Sequence, residues 1–169
     1  MHGNKSLVRQ RNRLVSAVLV VLCGFVGLGQ DIEMVIDSAR AGDQEAVNTL
    51  RAMAEQGNPD AQYYLGSLFA AGDEILGDAV EVFSWNMSAA EQGHVGAMIN
   101  VGNLYALGQG VPEDYKSAYV WFDLAAARAT GETLDLAVRN REVSGEFLTD
   151  GEIEDAKERF RVLDSRIPR

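Results

Sequence analysis

Histidine and cysteine are almost absent from this chain. Its 169 residues include two histidines, His2 and His94, one cysteine, Cys23, and three prolines. Metal sites built on Cys and His, and hydroxyl–imidazole–carboxylate triads, draw on residues the chain scarcely has. A lone cysteine forms no intrachain disulfide. Positive charge is also scarce: 15 Lys+Arg face 25 Asp+Glu, for a net charge of −10. Such a surface repels phosphate backbones, which argues against nucleic acid, and favours a basic partner or a basic patch on one. With 47% apolar residues the chain is too apolar for disorder and suits one globular domain.

The few cations are unevenly placed. Met1 to Arg13 carries Lys5, Arg9, Arg11 and Arg13 with no acid, Leu14 to Leu28 is a nearly unbroken apolar run, and Gln30–Asp31 opens acidic sequence. A basic segment, an apolar segment and small residues at Gly27 and Gly29 read as a secretory signal peptide over residues 1–29, cut near Gly29–Gln30. As a helix the apolar run reaches roughly 22 Å, short of the roughly 30 Å of bilayer hydrocarbon. An uncleaved membrane anchor is the alternative. Leu22 stands before Cys23, where lipidation needs a small side chain, so a lipoprotein is not expected. Removal of the leader takes four of the 15 cations and no acid, leaving 11 against 25 and a net charge of −14. It also takes the cysteine, and His94 remains the single histidine.

What the chain has instead is self-similarity. Residues 61–93 and 97–129 overlay without a gap at an offset of 36: Ala61 on Ala97, Gly66 on Gly102, Leu68 on Leu104, Phe69 on Tyr105, Gly72 on Gly108, Asp78 on Asp114, Trp85 on Trp121. The same offset places Ala54–Gly57 on Ala90–Gly93, so a degenerate copy precedes these two. Each copy reads as two helices. Ala61, Leu65, Leu68 and Phe69 share one face of a 3.6-residue period. Gly66 lies on that face, where it costs about 1 kcal/mol relative to Ala in a helix interior, and its use is close approach of a neighbouring helix. Gly72 and Gly108 fall where the first helix should stop. Asp78 and Asp114 stand where an acid meets the free N–H groups of the second helix. That helix presents Val82, Trp85, Ala89 and Ala90, or Ala118, Trp121, Ala125 and Ala126, to the core, and Gly93 ends it. One hairpin cannot bury its own apolar face, so neighbours must stack. The expected fold is all-α, a right-handed superhelix with a concave face lined by the first helices.

The pattern A-x-x-x-L-G-x-x-[YF]-x-x-G, then D-x-x-x-[AV]-x-x-W and A-A-E-Q-G, resembles the SEL-1-like repeat, a relative of the tetratricopeptide repeat. Gly108–Gln109–Gly110–Val111–Pro112 with Asp114 is similar to that family's interhelical loop; in the first full copy Glu74 and Leu76 replace its Gly and Pro. The resemblance covers residues 46–129, and Ala137 to Thr149 followed by GEIEDAKERF resembles the closing helix pair. Thr149 and Glu152 form a capping-box pattern independently of the family. The expected layout is a degenerate helix pair over 30–58, repeats over 59–94 and 95–130, and capping helices over 131–169.

No residue set reads as catalytic. His94, after Gly93, reads as a surface turn residue. Trp85 and Trp121, recurring at the repeat period, read as core, and Glu55 and Glu91 recur likewise and are repeat residues rather than an acid–base pair. Asp73–Glu74 to Asp78 lacks the alternating pattern of a calcium loop. Gly108–Gln109–Gly110 lacks the rest of a dinucleotide or P-loop motif. Arg139 and Arg141 read as braces for acids near the closing helices. What remains is surface: by analogy with tetratricopeptide hairpins, Tyr63, Ser67, Ala70, Ile99, Asn103 and Ala106 are expected to face the concave groove, the alternative being that Tyr63 and Ile99 widen the core stripe. The resemblance implies an exported, periplasmic or secreted scaffold that binds a protein partner, with no cofactor and no catalysis. A tethered regulator with an uncleaved anchor, or a small envelope hydrolase, are the other readings.

Overall fold

The structure, a computed structural model, describes residues 28–70 and 79–169. The signal-peptide reading, Cys23, and the loop with Gly72, Asp73, Glu74, Leu76 and Asp78 lie outside the described residues. The chain divides into two compact units, residues 1–34 and 35–169. In the first, only the opening turns of a helix are described. Every regular element among the described residues of the second is a helix: the rest of α1 (Leu28–Arg40), then α2 (Gln44–Glu55), α3 (Pro59–Ala70), α4 (Ala79–Glu91), α5 (Val95–Leu107), α6 (Tyr115–Ala126), α7 (Gly131–Gly145) and α8 (Asp150–Asp164).

One turn design punctuates these helices. Gly42, Gly57 and Gly93 have φ of 86°, 91° and 94°, the left-handed conformation that glycine adopts without a Cβ clash. At each, the glycine N–H and the next N–H reach back to carbonyls of the finished helix, as in Gly57 N to Ala54 O at 2.9 Å and Asn58 N to Met53 O at 3.1 Å. The residue after the glycine then caps the next helix: Asp43 accepts from Glu45 N at 2.9 Å, Asn58 from Ala61 N at 2.9 Å, and His94 Nδ1 from Ala97 N at 3.1 Å. A Gly-plus-cap pair thus stops one helix and starts another within three residues. Gly108 ends α5 at φ 63°, as its position predicts, and Asp114 caps α6 by accepting from Ser117 N at 3.0 Å. The Thr149–Glu152 capping box is formed.

Successive helices pack from α2 to α7, and α8 packs on α6. The expected core face of α3 is buried at Ala61 and Leu65, both 0% exposed. The glycine reading also holds. A Cβ at Gly66 would stand 2.2 Å from Asn86 Nδ2, and one at Gly102 would stand 2.5 Å from the Phe122 ring. Asn86 and Phe122 are themselves 36 apart, so the same close approach carries an amide in one repeat and an aromatic ring in the next.

The tryptophans differ. Trp121 is 6% exposed and belongs to the core. Trp85 is only half-buried; its Nε1 donates to Glu81 Oε1 at 3.2 Å, and it lines a shallow surface groove with Val80, Ser84 and Ser88. The core expectation is corrected for Trp85. Among the described residues α6 is enclosed by α5, α7 and α8, whereas α4 packs on α3 and α5. No helix among the described residues is long and apolar enough to cross a membrane.

Candidate binding face on the first helices

α5 and α6 are antiparallel, since Gly102 meets Phe122 while Asp114 N donates to Tyr105 O at 2.9 Å. α6 and α7 are antiparallel as well: Arg141 pairs with Asp123 at 2.7 Å, and Gly145 lies against the Tyr119 ring. α5 and α7 therefore run parallel, with the same register points side by side.

Across these parallel helices runs a row of amides. Asn100 Nδ2 donates to the buried Asn86 Oδ1 at 3.0 Å and reaches Ser67 Oγ at 3.5 Å. Asn140 Nδ2 donates to Asn103 Oδ1 at 3.3 Å. All three surface amides are half-buried. Each has spent part of its hydrogen-bonding capacity on a neighbouring element, which fixes its orientation. Asn100 and Asn140 keep Oδ1, and Asn103 keeps Nδ2, without a partner among the described residues.

Of the residues expected on this face, Ser67 and Asn103 belong to the row, and Ala106 is half-buried against the core. Ala70 is the last residue of α3, where the backbone alone is described. Ile99 is 6% exposed and lies in the core cluster. Tyr63 is half-buried: its ring stacks on His94 at 4.3 Å and crosses Gly96, where a Cβ would stand 3.0 Å from it. The exposed Tyr–Ile strip is thus corrected toward the alternative reading, in which both side chains extend the core stripe. On α5 the surface runs through Asn100, one residue beyond Ile99, and the expected Asn103. Two asparagines three residues apart on one helix were the available signal; the bond from Asn100 to a buried amide on the preceding helix was not.

His94 is more than a turn residue. It caps α5 through Nδ1, stacks on Tyr63, and sets Nε2 3.5 Å from Asp60 Oδ1. Burial pushes its imidazole below the ordinary value of 6.5, against the opposite pull of Asp60. The cap requires an unprotonated Nδ1. Arg141 braces Asp123 as expected, and that bond holds the guanidinium above its ordinary range; Arg139 is exposed. Sequence reading passed over Arg128, whose side chain is 5% exposed. It bonds Asp164 Oδ1 at 2.7 Å, Leu124 O at 3.2 Å and Ile167 O at 3.1 Å, tying the chain beyond α8 to the end of α6. Among the described residues no group of three or more His, Cys, Asp or Glu is gathered so as to hold a metal ion.

No family model and no curated protein matches the chain. Among solved structures it is similar to a protective antigen present in uropathogenic Escherichia coli strains that displays an SEL-1-like repeat fold, at 26% identity and a TM-score of 0.66. The match covers 83% of this chain and 34% of that one, so the chain spans about a third of its neighbour's length. The 36-residue hairpins, the glycines at their close approaches and this neighbour agree: the chain carries the SEL-1-like repeat fold, an all-α solenoid of tetratricopeptide-like helix pairs.

Proposed function

We propose that the protein is an exported adaptor that holds a protein partner on the face of α3, α5 and α7, without a cofactor and without turnover. The observation that carries this reading is the row Asn100, Asn103 and Asn140. Its amides are oriented by bonds between helices yet keep acceptors and a donor for a ligand. Fixed, partly unspent amides suit recognition of a polypeptide backbone, which offers N–H and C=O groups at regular intervals. The negative charge favours a basic partner. The leader composition supports export to the periplasm or beyond, with membrane contact confined to residues 1–29 if they are retained.

The test is a crosslinked pull-down of the protein from native envelope extract, beside an Asn103→Lys variant whose folding is checked by circular dichroism. The expected result is one identified protein, captured saturably by the parent and lost from the variant. Equal capture by both moves binding off this face, and no capture by either overturns the adaptor reading. The intact mass of the native protein decides the leader: loss of residues 1–29 means a cleaved signal, retention means a tether.

A further inference from the structure

α7 carries a second pattern. Leu136, Asn140 and Val143 follow one another at spacings of 4 and 3, one stripe along the helix, and Phe147 follows in the turn just beyond its end. Its apolar members remain in water: Leu136 is 39% exposed, Val143 55% and Phe147 60%. Phe147 is nonetheless held in place by stacking on Tyr115 at 4.2 Å with ring planes 12° apart. On parallel α5, Leu107 lies one turn beyond Asn103 and is 64% exposed, as Val143 lies one turn beyond Asn140. The Asn140–Asn103 bond joins the two helices one turn before these side chains. From Leu136 to Val143 the helical part of the stripe runs roughly 10 Å, about two turns, and Phe147 extends it past the helix end.

The flank of this stripe is charged. Glu132, Asp135, Arg139, Glu142 and Glu146 follow at spacings of 3, 4, 3 and 4, the last four each one residue before Leu136, Asn140, Val143 and Phe147, and all are exposed. Four acids and one cation thus run alongside the apolar row. None of the four acids is in an ion pair among the described residues; the neighbouring Arg141 is occupied by Asp123. An apolar stripe with an anionic border is the complement of a helix with leucines on one face and lysines or arginines beside them.

We propose that the α5–α7 strip of Leu107, Leu136, Val143 and Phe147 docks a basic amphipathic helix of the partner protein, with its cations against Glu132, Asp135, Glu142 and Glu146. This deepens the adaptor reading and rests on it. The apolar contact supplies affinity, and the acidic flank supplies selection by sign and a faster encounter.

The probe is an 18-residue synthetic helix of leucine and lysine with all leucines on one face, and its counterpart with glutamate for lysine. Binding to the full chain is followed by fluorescence anisotropy. The lysine peptide is expected to bind saturably and the glutamate peptide to bind at least about tenfold more weakly. A Leu136→Ser, Val143→Ser variant, changed only at exposed side chains, should weaken the lysine peptide by about tenfold or more. Val162→Ser on α8, a change at another exposed apolar residue, should leave it unmoved. Glu142→Gln with Glu146→Gln should flatten the dependence on salt. Equal binding to the parent and the α7 variant overturns the proposal, as does equal binding of the two peptides. If those results appear while Asn103→Lys still abolishes capture of the native partner, the adaptor reading stands and the α7 strip alone is rejected.

Discussion

At the scale of single residues, two glycines at equivalent positions have different consequences. Gly102 faces the ring of Phe122, which is 2% exposed, and a methyl there would stand 2.5 Å from the ring. Overpacking a filled core of this kind costs about 1–3 kcal/mol. Gly66 faces Asn86 Nδ2 at 2.2 Å, and Asn86 is 1% exposed while bonding both Val82 O and Asn100. A methyl at Gly66 displaces a buried amide from its partners as well as crowding it, and an unsatisfied buried polar group costs a further ~1–3 kcal/mol. Urea denaturation should therefore show both Gly66→Ala and Gly102→Ala destabilised, Gly66→Ala the more. In the double variant Gly66→Ala, Asn86→Ala, removal of the amide should return part of the loss. If the single variants prove equal and the double variant only adds, Asn86 is not the obstacle.

At the scale of the element, the caps decide where helices begin, and at His94 and Asp114 the cap is coupled to a shifted proton equilibrium. His94 accepts the Ala97 N–H with an unprotonated Nδ1, and its folded-state pKa lies below 6.5. Between the folded value and about 6.5 the unfolded chain binds the extra proton, so stability rises with pH through that window. It is complete above it and falls as the pH drops below the ordinary histidine value. The urea midpoint should decline from pH 7.5 toward pH 5.5. His94→Asn, which keeps a cap without an imidazole, should remove that slope; an unchanged slope would assign it to other groups. Asp114 behaves with the same sign at lower pH. Burial disfavours its charge, but the Ser117 hydroxyl and amide and the charge of Arg159 outweigh that and hold it below the ordinary 3.8. Its contribution is present above that value and lost as pH falls through the folded one. Asp114→Ala should cost about 1 kcal/mol near neutrality, measured by thermal or urea unfolding.

At the scale of the molecule, the closing helices are held by a feature with no repeat signature. Arg128, at the end of α6, collects Asp164 and the Ile167 carbonyl, and Ile167 itself is 7% exposed within the core cluster. The following Pro168 carbonyl comes close to Gly93, where a Cβ would stand 2.7 Å from it. Residues 165–169 thus run back over the turn between α4 and α5. Arg128→Ala, which empties a buried site and strands the carbonyls it served, should destabilise by about 2–4 kcal/mol. Removal of residues 165–169 should lower the melting temperature in the same direction. If neither moves the midpoint, the tail is not part of the cooperative unit.

Much of this was legible in the order of the residues, for one physical reason: helices, stops and caps are local. The 36-residue offset, the glycine stops at Gly93 and Gly108, the Asp114 cap and the Thr149–Glu152 box each depend on local sequence, so the chain itself determined an all-α solenoid and its punctuation. Whether a side chain at a given phase meets another helix or water depends on neighbours distant in sequence, and only the tertiary structure decided that. It placed Ile99 in the core and Asn100 on the surface, left Trp85 half-covered while enclosing Trp121 in the core, and brought Asn103 to Asn140. It also left Leu136, Val143 and Phe147 uncovered, because α8 packs on α6 and leaves that stripe of α7 to solvent.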